Sequence, residues 1–377
     1  MRIAFDGKKA AANRAGLGNY SRFVIRCMAQ RYPDCQFDVY VAQEKDPALL
    51  DSLRVLPNVN ICYPKYSLLK YFPKLWSVFG VPAELRKRGA DIYHGLGNEL
   101  PRKIEKVKGV KSVVTIHDLI FVSFPHTYSW INRHLYNVKF RHACRVADRI
   151  VAVSKFTAKD IVKYYFTPKE KISVAYQGCD SSFRRLCTPA FKKITKENFS
   201  LPDKFILSVG TIEERKNTAL IVKALPELPE MHLVIVGKKT PYMLHVIETA
   251  RSLDVLDRVH ILNGVGFKEL PSIYQQAEVF AYPSRCEGFG IPVLEALCSG
   301  IPVIAATGSC LEEAGGDAAV YIDPDDHHSL AEAVKEIVSN PDRKSAMIEK
   351  GYAHAGQFTD DSLADSLMEI YKEILSC

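Results

Sequence analysis

The sequence lacks any apolar run near the roughly 18 residues that a membrane-spanning helix needs. Residues 1–6 read as a strand, not as the charged and apolar regions of a signal peptide, so a cytoplasmic protein is expected. Ten cysteines are present, but no two have CxxC spacing, and the four-ligand patterns of structural zinc are missing. Reduced thiols and no bound metal are the expectation, with several cysteines packing as small apolar groups. No tandem repeat or low-complexity tract interrupts the chain. Fibrous, solenoid and disulfide-scaffold classes are thereby excluded.

What is present is enough chain for two cores, since 377 residues is about twice the usual length of one domain. Short β-rich runs alternate with helical patterns throughout. In the first half they are 2–6, 37–41, 59–63, 91–95, 112–118, 149–154 and 172–176; in the second they are 205–210, 232–237, 258–262, 279–283, 302–306 and 319–322. Most are apolar on both faces, as strands covered by helices on each side of a parallel sheet are. The fold class is therefore α/β, with two doubly wound, Rossmann-like domains. Residues 1–180 form the first, 181–202 a Pro- and Lys-containing linker, and 203–357 the second. The amphipathic stretch 358–377 either caps the second domain or crosses back to the first.

Charge divides unevenly. Net charge is +7, but residues 1–180 hold 30 Lys and Arg against 15 Asp and Glu, while the remainder holds 20 against 28. A basic half seeks an anionic partner: nucleic acid, a phosphate-bearing acceptor or an anionic membrane leaflet. Residues 63–80 interleave Tyr, Phe and Trp with lysines, a mixture suited to a membrane interface or, in the plainer reading, to a loop whose aromatics enter the core.

Four places at strand ends carry candidate chemistry. In CEGFGIPVLEAL (286–297), Gly288 and Gly290 let the backbone approach a ligand, and the helix that follows offers unpaired N–H groups. Glu287 and Glu295 flank that helix start as acceptors for sugar hydroxyls. In SVGTIEERKN (208–217), Arg215 and Lys216 stand where a leaving diphosphate would need cations. AGLGNY (15–20) supplies Gly16 and Gly18 in a turn that falls short of the dinucleotide fingerprint but suits a flexible loop lying against phosphate or sugar. His117 and Asp118 end the strand SVVTIHD; His117 either meets a sugar hydroxyl or is a buried, backbone-satisfied histidine, and Asp118 suits a turn cap. The acidic DPDD at 323–326 looks like a metal-binding motif, yet reads better as turn and helix-cap residues.

Taken in order, AGLGNY, VSKFT (153–157), VAYQGCD (174–180), GTIEERKN, NGVGFKELPSIYQQAEVFAYPS (263–284) and the E-x7-E segment Glu287 to Glu295 resemble the retaining family-4 glycosyltransferases of GT-B fold, over essentially the whole chain. The resemblance implies two facing domains with a cleft between them, a nucleotide-sugar donor, and a metal- and cofactor-independent reaction in which the leaving diphosphate helps to remove the acceptor's proton. It assigns Arg215 and Lys216 to the donor diphosphate, Glu287 to the transferred sugar and Glu295 to the ribose. Gly288, Phe289 and Gly290 then line sugar and phosphate through their backbone, Gly16 and Gly18 close over the donor, His117 lies near the reacting centre, and Val265 meets the base. The GTxExRKN variant, with Thr211 where many members carry arginine, tilts the donor toward GDP-mannose over a UDP-sugar such as glucose, galactose or GlcNAc. A glycan or lipid-linked oligosaccharide acceptor in bacterial surface polysaccharide synthesis is expected, and nucleic acid is not. Attachment to the inner face of the plasma membrane stays open. The alternatives are a nucleotide-sugar 2-epimerase and a non-catalytic nucleotide-sugar or nucleic-acid binder.

Overall fold

The strands form where apolar runs fall. The computed structural model describes residues 1–14, 16–64, 75–76 and 80–376, and the chain divides into two units. The first comprises Met1–Gln177 and Asp360–Cys377, the second Gly178–Thr359.

In the first unit, β1 (Arg2–Asp6), β2 (Gln36–Tyr40), β3 (Val59–Cys62), β4 (Ile92–Gly95), β5 (Lys111–Ile116), β6 (Arg149–Ala152) and β7 (Ile172–Val174) make one sheet. Its order is β3-β2-β1-β4-β5-β6-β7, and every pairing is parallel. The second unit repeats the plan with β8 (Phe205–Val209), β9 (His232–Val236), β10 (Val259–Leu262), β11 (Val279–Tyr282), β12 (Val303–Ala306) and β13 (Ala319–Ile322) in the order β10-β9-β8-β11-β12-β13. The order of strand addition reverses once in each sheet, between β1 and β4 and between β8 and β11. In open parallel sheets that reversal leaves a crevice at the carboxyl ends of the strands, where ligands bind.

The C-terminal helix Asp360–Leu375 belongs to the first unit. Leu363, Leu367, Tyr371 and Ile374 recur at helical spacing and enter the core that holds Ile3, Phe5 and Val24. Burial of each such side chain is worth about 1.5 to 3 kcal/mol over exposure. Asp365 adds a two-point pairing with Arg31, both bonds 2.9 Å.

Two expectations need correction here. Residues 181–202 are not a linker: they belong to the second unit and hold the helix Pro189–Phe199. Thr188 caps it by accepting from the Phe191 amide at 3.2 Å, with proline in its first turn, and the preceding Cys187 amide donates to Gln275. The proline that suggested a break marks a helix start. Gly16 and Gly18 also lie in no loop but in the first turn of the helix Gly16–Arg31. Gly18 is buried, and a Cβ there would collide with the Asn13 carbonyl, so close packing rather than flexibility calls for glycine.

Of the aromatic and lysine-rich stretch 63–80, residues 65–74 and 77–79 lie outside the described residues. Its Trp76 is a core residue, 1% exposed, with its ring near Tyr40 and its Nε1–H donating to Glu84 at 3.3 Å. No described helix is long and apolar enough to cross a membrane.

Candidate functional site

The second unit gathers charge at the reversal between β8 and β11. After β8 the backbone turns at Gly210, φ 144°, and passes so near Gly237 that no side chain fits between the loops after β8 and β9. A short 3-10 turn, Glu214–Lys216, follows, and Asn217 at φ 57° leads into the helix Thr218–Ala224. The turn is tied to the loop after β11: the Arg215 carbonyl accepts from the Arg285 amide at 2.8 Å and from Ser284 Oγ at 3.2 Å. Residues far apart in sequence are thereby placed side by side.

Glu287 sits at the centre, 9% exposed. Its Oε1 is met by Lys216 Nζ at 2.5 Å, Ser284 Oγ at 2.6 Å, Arg215 Nη1 at 2.8 Å and Tyr282 OH at 3.0 Å. Lys216 also donates to the Tyr282 hydroxyl. Among the described residues none hydrogen-bonds Oε2. One oxygen anchors the carboxylate and the other keeps its acceptor capacity. Burial works against ionisation, but Lys216 and Arg215 outweigh it and hold the carboxyl at about 2. Near neutral pH Glu287 is therefore a fixed acceptor of hydrogen bonds and cannot donate a proton.

The cations are anchored in turn. Arg215 Nη1 donates to the Cys286 carbonyl at 2.8 Å and Nη2 meets Glu213 at 2.6 Å. Burial pulls the Lys216 ammonium below its usual range, Arg215 adds to this, and Glu287 opposes both. These groups are held apart from water before any ligand arrives, as electrostatic stabilisation of a developing charge requires.

From Glu287 the chain runs through Gly288 and the buried Phe289, whose ring lies near Phe358, to Gly290. Gly290, at φ 112°, precedes the helix Ile291–Cys298, and a Cβ there would strike Leu311. Glu295 lies in the second turn. Tyr274 OH donates to its Oε2 at 2.9 Å, while burial raises its carboxyl to about 7. Val265 lines a cavity of about 460 Å³ with Gly237, Lys238, Leu262 and Asn263, at the carboxyl ends of β9 and β10. Arg215, Lys216 and Glu287 are thus in contact, and Val265 lies further along the same sheet edge.

In the first unit His117 follows β5 and is 7% exposed. The Leu96 carbonyl lies 2.9 Å from Nε2, so Nε2 carries the proton and Nδ1 accepts from the Gln177 amide at 3.2 Å. Burial lowers its pKa to about 4. Both ring nitrogens are occupied, which matches the backbone-satisfied histidine and leaves no ring atom for a sugar hydroxyl in this arrangement. Tyr20, from the helix that Gly16 opens, meets the His117 ring edge-on at 4.5 Å. Asp118 Oδ1 accepts from the Ile120 amide at 3.1 Å, a turn-capping bond. The acidic run is spent similarly: Asp326 caps the helix His327–Ser339, and Asp325 pairs with Arg285 at 2.5 Å.

Sequence alone does not point to Tyr274, Tyr282 and Ser284 as site residues. Their signal is a hydroxyl in a segment otherwise apolar: Tyr282 ends β11, Ser284 follows Pro283, and both precede Glu287.

Two parallel-sheet units with this strand order form the GT-B architecture. Residues 15–183 match Glycosyltransferase Family 4, and residues 190–354 match Glycosyl transferases group 1. The chain belongs to the family-4 glycosyltransferases. It is 27% identical to O-antigen chain mannosyltransferase B of Escherichia coli over 74% of both chains. It is 32% identical to O-antigen chain mannosyltransferase RfbU of Salmonella typhimurium over 61% of both, so it spans only about three fifths of that relative's length. Among solved structures, Anabaena HepE in complex with UDP-glucose superposes with a TM-score of 0.75 at 18% identity, covering 99% of this chain and 100% of that one, a likeness of fold.

Proposed function

We propose that this protein transfers a hexose, with retention of configuration and without a metal or organic cofactor, from a nucleotide-sugar to a glycan or lipid-linked oligosaccharide of a bacterial surface polysaccharide. The observation that carries the reading is the asymmetric carboxylate of Glu287, with four donors on Oε1 and none from the described residues on Oε2. Oε2 accepts hydroxyls of the transferred sugar. Arg215 and Lys216, with N–H groups beyond those bonded to Glu287, take the diphosphate and stabilise its charge as the glycosidic bond breaks. The backbone of Gly288 to Gly290 and the helix start behind it lie against the sugar and phosphate. Glu295, held by Tyr274, accepts from the ribose, and the cavity at Val265 takes the base.

Because Glu287 is ionised and anchored by two cations, it does not serve as a general acid; the departing diphosphate is the base for the acceptor hydroxyl. His117 positions the end of β5 through its bonds to Leu96 and Gln177, and acts through the backbone around it.

GDP-mannose is the proposed donor. The GTIEERKN segment supports it, and so do the names of the Escherichia coli and Salmonella relatives. A UDP-sugar is the second reading, favoured by the UDP-glucose complex of a structural neighbour. A thermal-shift panel of GDP- and UDP-sugars separates them, since a ligand that binds only the folded protein raises its melting temperature. Stabilisation by GDP-mannose, followed by its consumption with a lipid-linked acceptor, is the expected result. A response to UDP-sugars alone would replace the donor assignment, and no response to either class would remove the functional reading.

A further inference from the structure

One helix of the first unit turns the wrong chemistry outward for a water-facing surface. Trp130–Val146 starts on Ser129, whose Oγ accepts from the Asn132 amide at 3.3 Å. Its inner face is Phe140, Ala143 and Cys144, with Tyr136 and Phe140 edge-on to Phe121. On the outer face Trp130 is 75% exposed, Ile131 64%, Leu135 50% and Val138 51%. Successive residues step about 100° around a helix, which places these four within one broad stripe. Surface helices ordinarily put charge there, and a contiguous exposed apolar patch marks an interaction site.

The charge carried by the helix itself has one sign. No Asp or Glu occurs between Asp118 and Asp148, while Arg133, Lys139, Arg141 and Arg145 do. Lys139 is engaged with Glu99 at 3.0 Å, and Arg141 rests over the Tyr165 ring at 5.5 Å. Further along the helix, His134, Arg141, His142 and Arg145 fall on the same angular sector as Trp130 and Val138. His142 lies within electrostatic reach of Arg102 and of Glu105, from a neighbouring segment that also carries exposed Lys103, Lys106 and Lys108.

We propose that this helix face docks the first unit on an anionic phospholipid bilayer. Trp130, Ile131, Leu135 and Val138 enter the boundary between headgroups and acyl chains, and Arg141 and Arg145 meet lipid phosphates. Tryptophan suits that depth because its ring is apolar and its N–H finds polar partners. A second copy of this chain is a poor occupant. A two-fold interface lays the same patch against itself and would set these arginines against their own copies. The inference does not depend on the donor chemistry proposed above.

The chain holds two tryptophans, and Trp76 is buried, so an emission change on adding vesicles reports Trp130. Vesicles of phosphatidylglycerol with phosphatidylcholine are expected to shift emission to shorter wavelength, pure phosphatidylcholine to do so far less, and added salt to weaken the response. Trp130→Phe should abolish the shift while the protein still sediments with the anionic vesicles. Ile131→Ser with Leu135→Ser should lower partitioning at least about tenfold, and Arg141→Glu with Arg145→Glu should remove the preference for anionic lipid. These side chains face solvent, so unchanged melting temperatures are expected, and the wild-type titration decides the matter even if a variant misfolds. Equal binding to both vesicle types, or no shift with either, overturns the proposal. So does a concentration-dependent dimer that Ile131→Ser abolishes, which would reassign the stripe to self-association.

Discussion

The two units build the carboxyl edges of similar sheets from different mixtures of charged and neutral groups. In the second, ionised groups touch: Lys216 and Arg215 converge on one oxygen of Glu287. In the first, Glu99 beyond β4 pairs with Lys8 and Lys139 at 3.3 and 3.0 Å, and the histidines beside it are neutral and hydrogen-bonded. His94 of β4 is wholly buried, with Nδ1 at 2.5 Å from the Tyr371 hydroxyl and Nε2 at 2.8 Å from Thr115 Oγ1, and burial lowers its pKa to about 3. The contrast recurs within the second unit: of two carboxyls eight residues apart, cations hold Glu287 at about 2 and burial raises Glu295 to about 7.

The contrast breaks most sharply at Glu287. Glu287→Gln should lower kcat/KM for sugar transfer by a factor on the order of 10² to 10³, and by leaving two buried cations without their carboxylate should cost roughly 3 kcal/mol of stability. Steady-state kinetics and denaturant unfolding read the two effects; turnover near wild-type would refute the site.

Acid should separate the units next. The unfolded histidines take a proton near 6.5, whereas folded His94 and His117 resist until about 3 and about 4, so their stabilisation is complete above 6.5 and falls as the pH drops. At about pH 5 each histidine costs the first unit roughly 2 kcal/mol. Glu295 works the other way: unfolded it ionises near 4.5, folded it keeps its proton to about 7, so the second unit gains stability as pH falls through that window. Hydrogen exchange corrected for intrinsic rates, compared unit by unit at pH 7 and 5, should show the first unit loosening. A second unit that opens first would contradict the assignment.

Tyr371→Phe is a smaller cut. It strips His94 Nδ1 of its partner in a dry core and should cost about 1 to 3 kcal/mol, seen as a lower unfolding midpoint. Smaller still, Glu295→Gln should flatten the pH dependence of donor affinity, which in the wild type should improve severalfold from pH 6 to 8 as the carboxylate forms; calorimetric titration across that range checks it. Least of all, Asp325→Asn removes a surface pairing with Arg285 and should change stability by less than about 0.5 kcal/mol, and EDTA should leave the transfer rate unaltered.

Much of this arrangement is legible in the chain. The strands of both sheets follow from apolar runs of four to six residues, and the Gly-Phe-Gly between Glu287 and Ile291 announces a helix start. The places where the reading erred share a cause. Prolines and lysines at 189–202 look like a linker until a partner surface is known for them, and Gly16 and Gly18 look like a loop until the Asn13 carbonyl is seen to require a missing Cβ. A residue's local signal does not reveal which neighbour it will meet.

The amino-acid sequence by itself determines the two parallel-sheet units, the strand ends where charged residues gather, and the family. Only the tertiary structure decides that four donors share one oxygen of Glu287, across 71 residues in the case of Lys216. It alone decides that His117 spends both nitrogens on Leu96 and Gln177, and that Trp76 is buried while Trp130 faces solvent. The reason is physical. Periodicity reports which side of an element is apolar, but pKa, tautomer and exposure depend on what the fold brings within about 4 Å.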